Sequence, residues 1–179
     1  MLPVVIKNYK MDHAFVIKKL SHNSDTYRTL LSGISKEECL WRTQPDKWCL
    51  LENVCHLYDE EQFDFRARVK HVLENTQTAP PPIDPEGWVK TRKYIEQNYE
   101  EVLKKFLNER NRSIEWLNSL HDPQWKNVYV HPEFGPMSAE FFLANWLAHD
   151  LLHFRQIITL QYNYTKYKTG INLEYAGTW

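Results

Sequence analysis

An all-α domain of four long helices is what this sequence predicts, and three observations carry the expectation. Glycine is scarce, 5 in 179 residues. Apolar residues recur every three or four positions over long stretches. One proline-rich stretch, residues 77–87 (QTAPPPIDPEG), is the clearest break in the chain. The length suits a single domain over residues 1–179 with a sizeable core. Acidic and basic residues are interspersed and the net charge is −1, which leaves no footprint for a nucleic-acid partner. No apolar run approaches the ~20 residues that cross a bilayer. The start, MLPVVIKNYK, carries no cleavage pattern, and Cys39, Cys49 and Cys55 lack paired spacing. Reduced thiols in a cytoplasmic protein are therefore expected, without a membrane partner.

The first helix is expected over residues 11–32, where Phe15, Ile17, Leu20, Tyr27, Leu30 and Leu31 recur and Gly33 supplies a stop. His13 and His22 on it are too far apart to share a ligand. A polar link with Trp41 and Pro45 follows. The second helix opens at Cys49, with Glu52 placed for a capping box, and runs to about Asn75. Val54, Tyr58, Phe65, Val69 and Val72 mark its apolar side, with His56 flanking it. The four prolines of the break forbid helix. A tight hairpin would not need so much extended chain, so the stretch reads as a crossover that leaves the second and third helices parallel.

The third helix is expected over residues 88–120. Arg110 lies in line with its stripe of Ile95, Tyr99, Val102, Leu103, Phe106, Leu107, Ile114 and Leu117. Either its stem covers apolar surface, or its charge faces a polar pocket as a substrate-binding cation. Residues 121–137 read as a loop with one extended piece at 128–130. The fourth helix starts at Ser138, a capping hydroxyl, and runs to Tyr162; the polar, aromatic tail is expected to fold back over the bundle.

The fourth helix carries the chemistry. Phe142, Trp146, His149, His153, Ile157 and Leu160 fall on one face, so two histidines sit one turn apart inside an apolar stripe. A buried polar nitrogen without a partner costs roughly 1–3 kcal/mol. A shared metal ion satisfies one nitrogen of each ring, and an acceptor behind each ring takes the other. His56 on the second helix is the candidate third ligand. His71, His121 and His131 lie too far along their segments. Three neutral imidazoles leave positions open for water or substrate, as catalytic sites do. A di-iron centre would need two carboxylate-x-x-His motifs, and only Asp150–His153 fits.

KWCLLENVCHLYDEE (47–61) and HPEFGPMSAEFFLANWLAHDLLHFRQI (131–157) resemble the DinB superfamily. The shared features are a histidine in an H-L-x-D-x-E context on the second helix and H-x-x-x-H-x-x-Q-I on the fourth. Cys49 departs from the serine common there. The resemblance implies a four-helix bundle of up-down-down-up topology and a divalent ion (nickel, zinc, iron or manganese) on His56, His149 and His153. It also implies a homodimer acting on a small molecule. Members with assigned activity include bacillithiol and mycothiol S-transferases, which use low-molecular-weight thiols; others are described as metal-dependent hydrolases.

Helix geometry adds candidates behind the ligands. Asp59 and Glu60 follow His56 by three and four residues, while Asp150 and Gln156 flank His153. Glu60 is also positioned as a base. A metal-dependent transferase or hydrolase is the leading expectation; the alternative is a non-catalytic metal-binding stress-response bundle. Because the ligands must be neutral, metal-linked stability is expected to fade below pH ~6.5.

Overall fold

The computed structural model of the chain describes residues 10–177. Most of the N-terminal stretch searched for a targeting signal, and the last two residues of the tail, lie outside them. Helix α1 spans His13–Leu31, with the Asp12 side chain capping the Phe15 N–H. A short α2, Lys36–Leu40, occupies the link, and Ser35 caps it. The second long helix runs as α3 (Leu50–Asp59), a π-helical turn (Glu60–Phe65) and α4 (Arg66–Glu74). After the prolines come α5 (Pro85–Thr91), a 3-10 turn (Tyr94–Glu96) and α6 (Tyr99–Ser119). Strands β1 (Val128–His131) and β2 (Gly135–Ser138) form an antiparallel hairpin that delivers the chain into α7, Ala139–Thr169.

The directions of the four long helices follow from who meets whom. Along α1 and α7, His13 meets Glu140, Asn23 meets Asp150 and Leu30 meets Gln161, so the two are parallel. His56 meets α7 at His149, and Arg68 lies over Phe142, so α3–α4 runs against α7. Glu61 meets Arg110 and Arg66 meets Ser113, which makes α6 parallel to α3–α4. The topology is up-down-down-up, and the proline crossover joins the two parallel helices.

Two apolar clusters fill the bundle. One gathers Tyr27, Leu31, Leu50, Leu51, Val54, Phe106 and Ile157. The other gathers Val16, Leu20, Phe65, Val69, Leu117, Phe142 and Trp146. Polar side chains buried at mid-height lie between them, and both the histidines and an ionic cluster belong to that layer.

Several boundaries differ from expectation for identifiable reasons. The third helix begins at Tyr99, not at residue 88, because Lys93 turns left-handed (φ 50) and Asn98 caps the Glu101 N–H. On α1 the buried face is Val16, Leu20, Tyr27 and Leu31, whereas Phe15 is exposed. The loop piece at 128–130 acquires a partner strand. The tail does not fold back as a unit. Its first residues extend α7 to Thr169, where Tyr164 and Tyr167 pack on Trp41, and Gly170 (φ 66) ends the helix. The described residues beyond it are largely exposed. Cys39, Cys49 and Cys55 are buried free thiols, and burial pushes Cys49 and Cys55 up to about 11 and about 12.

Candidate metal centre

Helix α3 opens with the Cys49 N–H donating to Glu52 Oε2 at 2.9 Å, so the capping arm supplied by Glu52 survives the loss of the serine. Arg42 pairs with the same carboxylate. From Leu50 to Leu57 every residue is buried, because α3 lies at the centre of the fold with α2, α5, α6 and α7 around it. His56 is therefore 6 % exposed, not at the edge of an apolar side. The π-helical turn begins one turn later. Its wider spacing brings Glu60, Glu61, Asp64 and Phe65 all inward, which a regular amphipathic helix would not do.

Three imidazoles converge at this level. His56 Nε2 lies 3.3 Å from His149 Nε2, and His153 Nε2 lies 3.1 Å from His149 Nε2. One ring nitrogen from each histidine lies within 4.8 Å of the others. Among the described residues no other such group of three or more His, Cys, Asp or Glu side chains forms. Trp48 packs on the His56 ring at 4.9 Å and Phe65 on His149 at 4.9 Å, so aromatic walls close two sides. Burial, with mutual repulsion between the rings, pulls His56 down to about 3 and His149 to about 2. Burial also takes His153 to about 4, against an opposing pull from Asp150. All three rings are neutral at physiological pH.

The carboxylates chosen from helix spacing divide into separate roles. Glu60 is beside the site, with Oε1 3.9 Å from His56 Nδ1. Both of these buried atoms lack a hydrogen-bond partner, as does His153 Nδ1. Burial and the adjacent Asp64 push Glu60 up to about 9, against an opposing pull from Arg68, so its carboxyl is neutral at physiological pH. Asp59 does not face His56. It is held by Arg92 and Tyr94, each at 2.6 Å, on another side of α3. Asp150 is bonded to neither neighbouring imidazole. It accepts from Asn23, Tyr27 and both terminal nitrogens of Arg110. Gln156 is half-buried and bonded to neither imidazole ring.

Arg110 fits neither expectation formed from the sequence. It is 1 % exposed, so its stem covers no surface. Its guanidinium is taken up by Glu61, the Leu20 carbonyl and Asp150. Glu61 also accepts from Trp146 Nε1 at 3.1 Å. Sequence reasoning missed Glu61, Tyr27 and Asn23. The available signal was the run Asp59-Glu60-Glu61, three acids in a segment that continues the apolar stripe on both sides.

Residues 19–157 match the sequence model of one family, the DinB superfamily. The chain belongs to the DinB superfamily. Among solved structures, this DinB-superfamily chain is similar to YfiT from Bacillus subtilis, described as "a probable metal-dependent hydrolase with an unusual four-helix bundle topology". The two share 19 % identity with a TM-score of 0.73, over 93 % of this chain and 97 % of YfiT. At that identity the likeness establishes the shared fold. No curated protein matches the sequence significantly. No helix among the described residues is long and apolar enough to cross a membrane.

Proposed function

We propose that His56, His149 and His153 hold one divalent ion (nickel, zinc, iron or manganese) and that the protein is a metal-dependent enzyme acting on a small molecule. The convergence of three Nε2 atoms, two from buried histidines and one from the half-buried His149, carries this reading. Ligand nitrogens ~2.1 Å from a tetrahedral ion stand roughly 3.4 Å apart, and His149 Nε2 stands 3.1 Å from His153 Nε2 and 3.3 Å from His56 Nε2. The orphaned atoms agree. A small rotation lets His56 Nδ1–H donate to Glu60, which fixes the tautomer with the Nε2 lone pair facing the other rings. Lone pairs that face one another need a cation between them. A structural site recruits a fourth protein ligand, and the cluster offers three.

Such an ion supplies Lewis acidity, lowering the pKa of a water or a low-molecular-weight thiol. The chain's own part is to orient the imidazoles, exclude water with Trp48 and Phe65, and place Glu60 to take a proton. A dication beside Glu60 opposes the burial that keeps it neutral, so its carboxylate becomes available as a base. Both hydrolysis and thiol S-transfer use this arrangement. YfiT's description supports the first, and the S-transferases among members of the superfamily support the second. Assays with an electrophilic substrate, with and without added thiol, separate them: thiol-dependent consumption marks the transferase and thiol-independent consumption the hydrolase. Turnover in neither would favour the non-catalytic bundle. The unpaired cysteines support a cytoplasmic setting.

The His56→Ala, His149→Ala, His153→Ala triple variant is expected to lose the metal, about one ion per chain in the parent. Elemental analysis reads this, and metal retained by the triple variant would remove the site. The outward face of α7 exposes Phe141, Leu151, Leu152 and Ile158, which we read as the seat of a homodimer. Sedimentation should show the dimer, and Leu151→Lys should make a monomer. A parent that sediments as a monomer throughout would end that reading.

A further inference from the structure

A cavity of about 250 Å³ opens on another side of α3 and is lined by none of the three histidines. Its walls are Cys55, Tyr58, Phe63 and Val102, with Arg92 and Lys105 as the cations. Lys93, next to Arg92, is a non-glycine residue held at φ 50. Such strained positions persist where the surrounding structure demands them, and they gather at functional sites. Here the left-handed turn lets Arg92 and Tyr94, on either side of it, grip one buried carboxylate. Arg92 Nη1 binds Asp59 Oδ1 and Tyr94 OH binds Asp59 Oδ2.

The grip uses only one edge of the guanidinium. Among the described residues, Arg92 Nε and Nη2 carry no hydrogen bond. The guanidinium carbon lies over Phe63 and Trp88, at 4.5 and 4.3 Å from the ring centres. The Lys105 ammonium, exposed on α6, likewise has no hydrogen bond or ion pair among the described residues. Two cations against one carboxylate leave a single positive charge over an apolar floor.

We propose that this cavity binds a small organic monoanion with a planar apolar body, an aromatic carboxylate being the simplest case. The free guanidinium edge and Lys105 take the carboxylate, and the ring lies against Phe63, Tyr58 and Val102. Drug-sized ligands occupy cavities of roughly 300–1,000 Å³; a volume of about 250 Å³ suits one ring and its acid group.

The test is calorimetric titration with benzoate and with benzyl alcohol, on metal-loaded and on chelated protein. Benzoate should bind saturably and equally in both states. Benzyl alcohol, the same size without the charge, should bind about tenfold more weakly. Arg92→Met should weaken benzoate by about tenfold or more. That change also frees Asp59, so Lys105→Glu, made on an exposed side chain, carries the test independently and should weaken benzoate without altering the fold. Absence of saturable binding overturns the proposal. So does equal binding of the alcohol, which reduces the cavity to an apolar dent. Benzoate binding that disappears on chelation assigns the anion to the histidine cluster and equally overturns it.

Discussion

Replacing Arg110 with alanine is expected to lower the unfolding free energy by about 3–5 kcal/mol, the usual result of breaking a buried charge pair from one side. Arg110 on α6 reaches Leu20 of α1, Glu61 of the π-helical turn and Asp150 of α7, so one side chain ties the four long helices together. Asp150 receives two of its donors at 2.7 and 2.8 Å, in the planar fork that lysine cannot reproduce. Its charge also lies over the rings of Phe106, Tyr27 and Trp146, at 5.6 to 5.9 Å. Removing it leaves Glu61 and Asp150 as carboxylates with almost no contact with water. Burial already pushes Glu61 up, and Arg110 is the chief influence holding it down.

The sign of a second substitution separates pairing from packing. Attraction inside a dry core is largely offset by the cost of taking both charges out of water. Arg110→Met combined with Glu61→Gln and Asp150→Asn is therefore expected to recover much of the loss. Urea unfolding reads both effects. A loss below about 1 kcal/mol for Arg110→Ala, the range of an exposed pair, would mean that water reaches the cluster. Because Asp150 stands between His149 and His153, loosening it should also weaken the proposed metal site.

The gross fold was legible because two signals agree. Period-3.6 apolar patterning placed the long helices, and four prolines in one stretch gave the length that a parallel crossover requires. His149 and His153 were visible because imidazole in an apolar stripe is conspicuous. Asp150 was seen but misplaced: on α7 it is this residue, not His149, that is fully buried. A helix wheel gives faces, and it does not tell which face meets an arginine from a helix forty residues earlier in the chain. Asp59 failed for a related reason. The side chains that claim it come from the strained turn at Lys93, whose left-handed backbone has no signature in a lysine. The π-helical turn was hidden as well, since a single widened turn leaves the surrounding periodicity almost unchanged.

Chelated and metal-loaded protein are expected to melt at different temperatures, with a gap that persists to about pH 5 and closes only near pH 4. An ion that binds the folded bundle alone adds about 2.7 kcal/mol when its free concentration is a hundred times its dissociation constant. It bridges residues 93 positions apart, His56 and His149. The two apolar clusters on either side should keep the chelated protein folded at neutral pH, unlike a zinc finger. The pH window follows from the folded histidines. Burial holds His56, His149 and His153 at about 3, 2 and 4, so protons compete with the ion only near the highest of these. This corrects the window near ~6.5 that free imidazole would give. Total stability behaves differently. The folded values are depressed, so the histidines' contribution is present above ~6.5 and is lost as pH falls towards 4, because only the unfolded chain takes up protons in that range. Glu60 opposes them: raised to about 9, it favours the fold at low pH and loses that contribution as pH rises through its folded value. The chelated protein should therefore lose melting temperature on acidification while the metal-dependent gap stays open. Paired melts at pH about 7.5, 5 and 4 test this. A gap already closed at pH 6 would mean that the three rings titrate as if in water. Coincident curves at neutral pH, whatever the metal concentration, would leave them as core histidines and remove the enzyme reading with them.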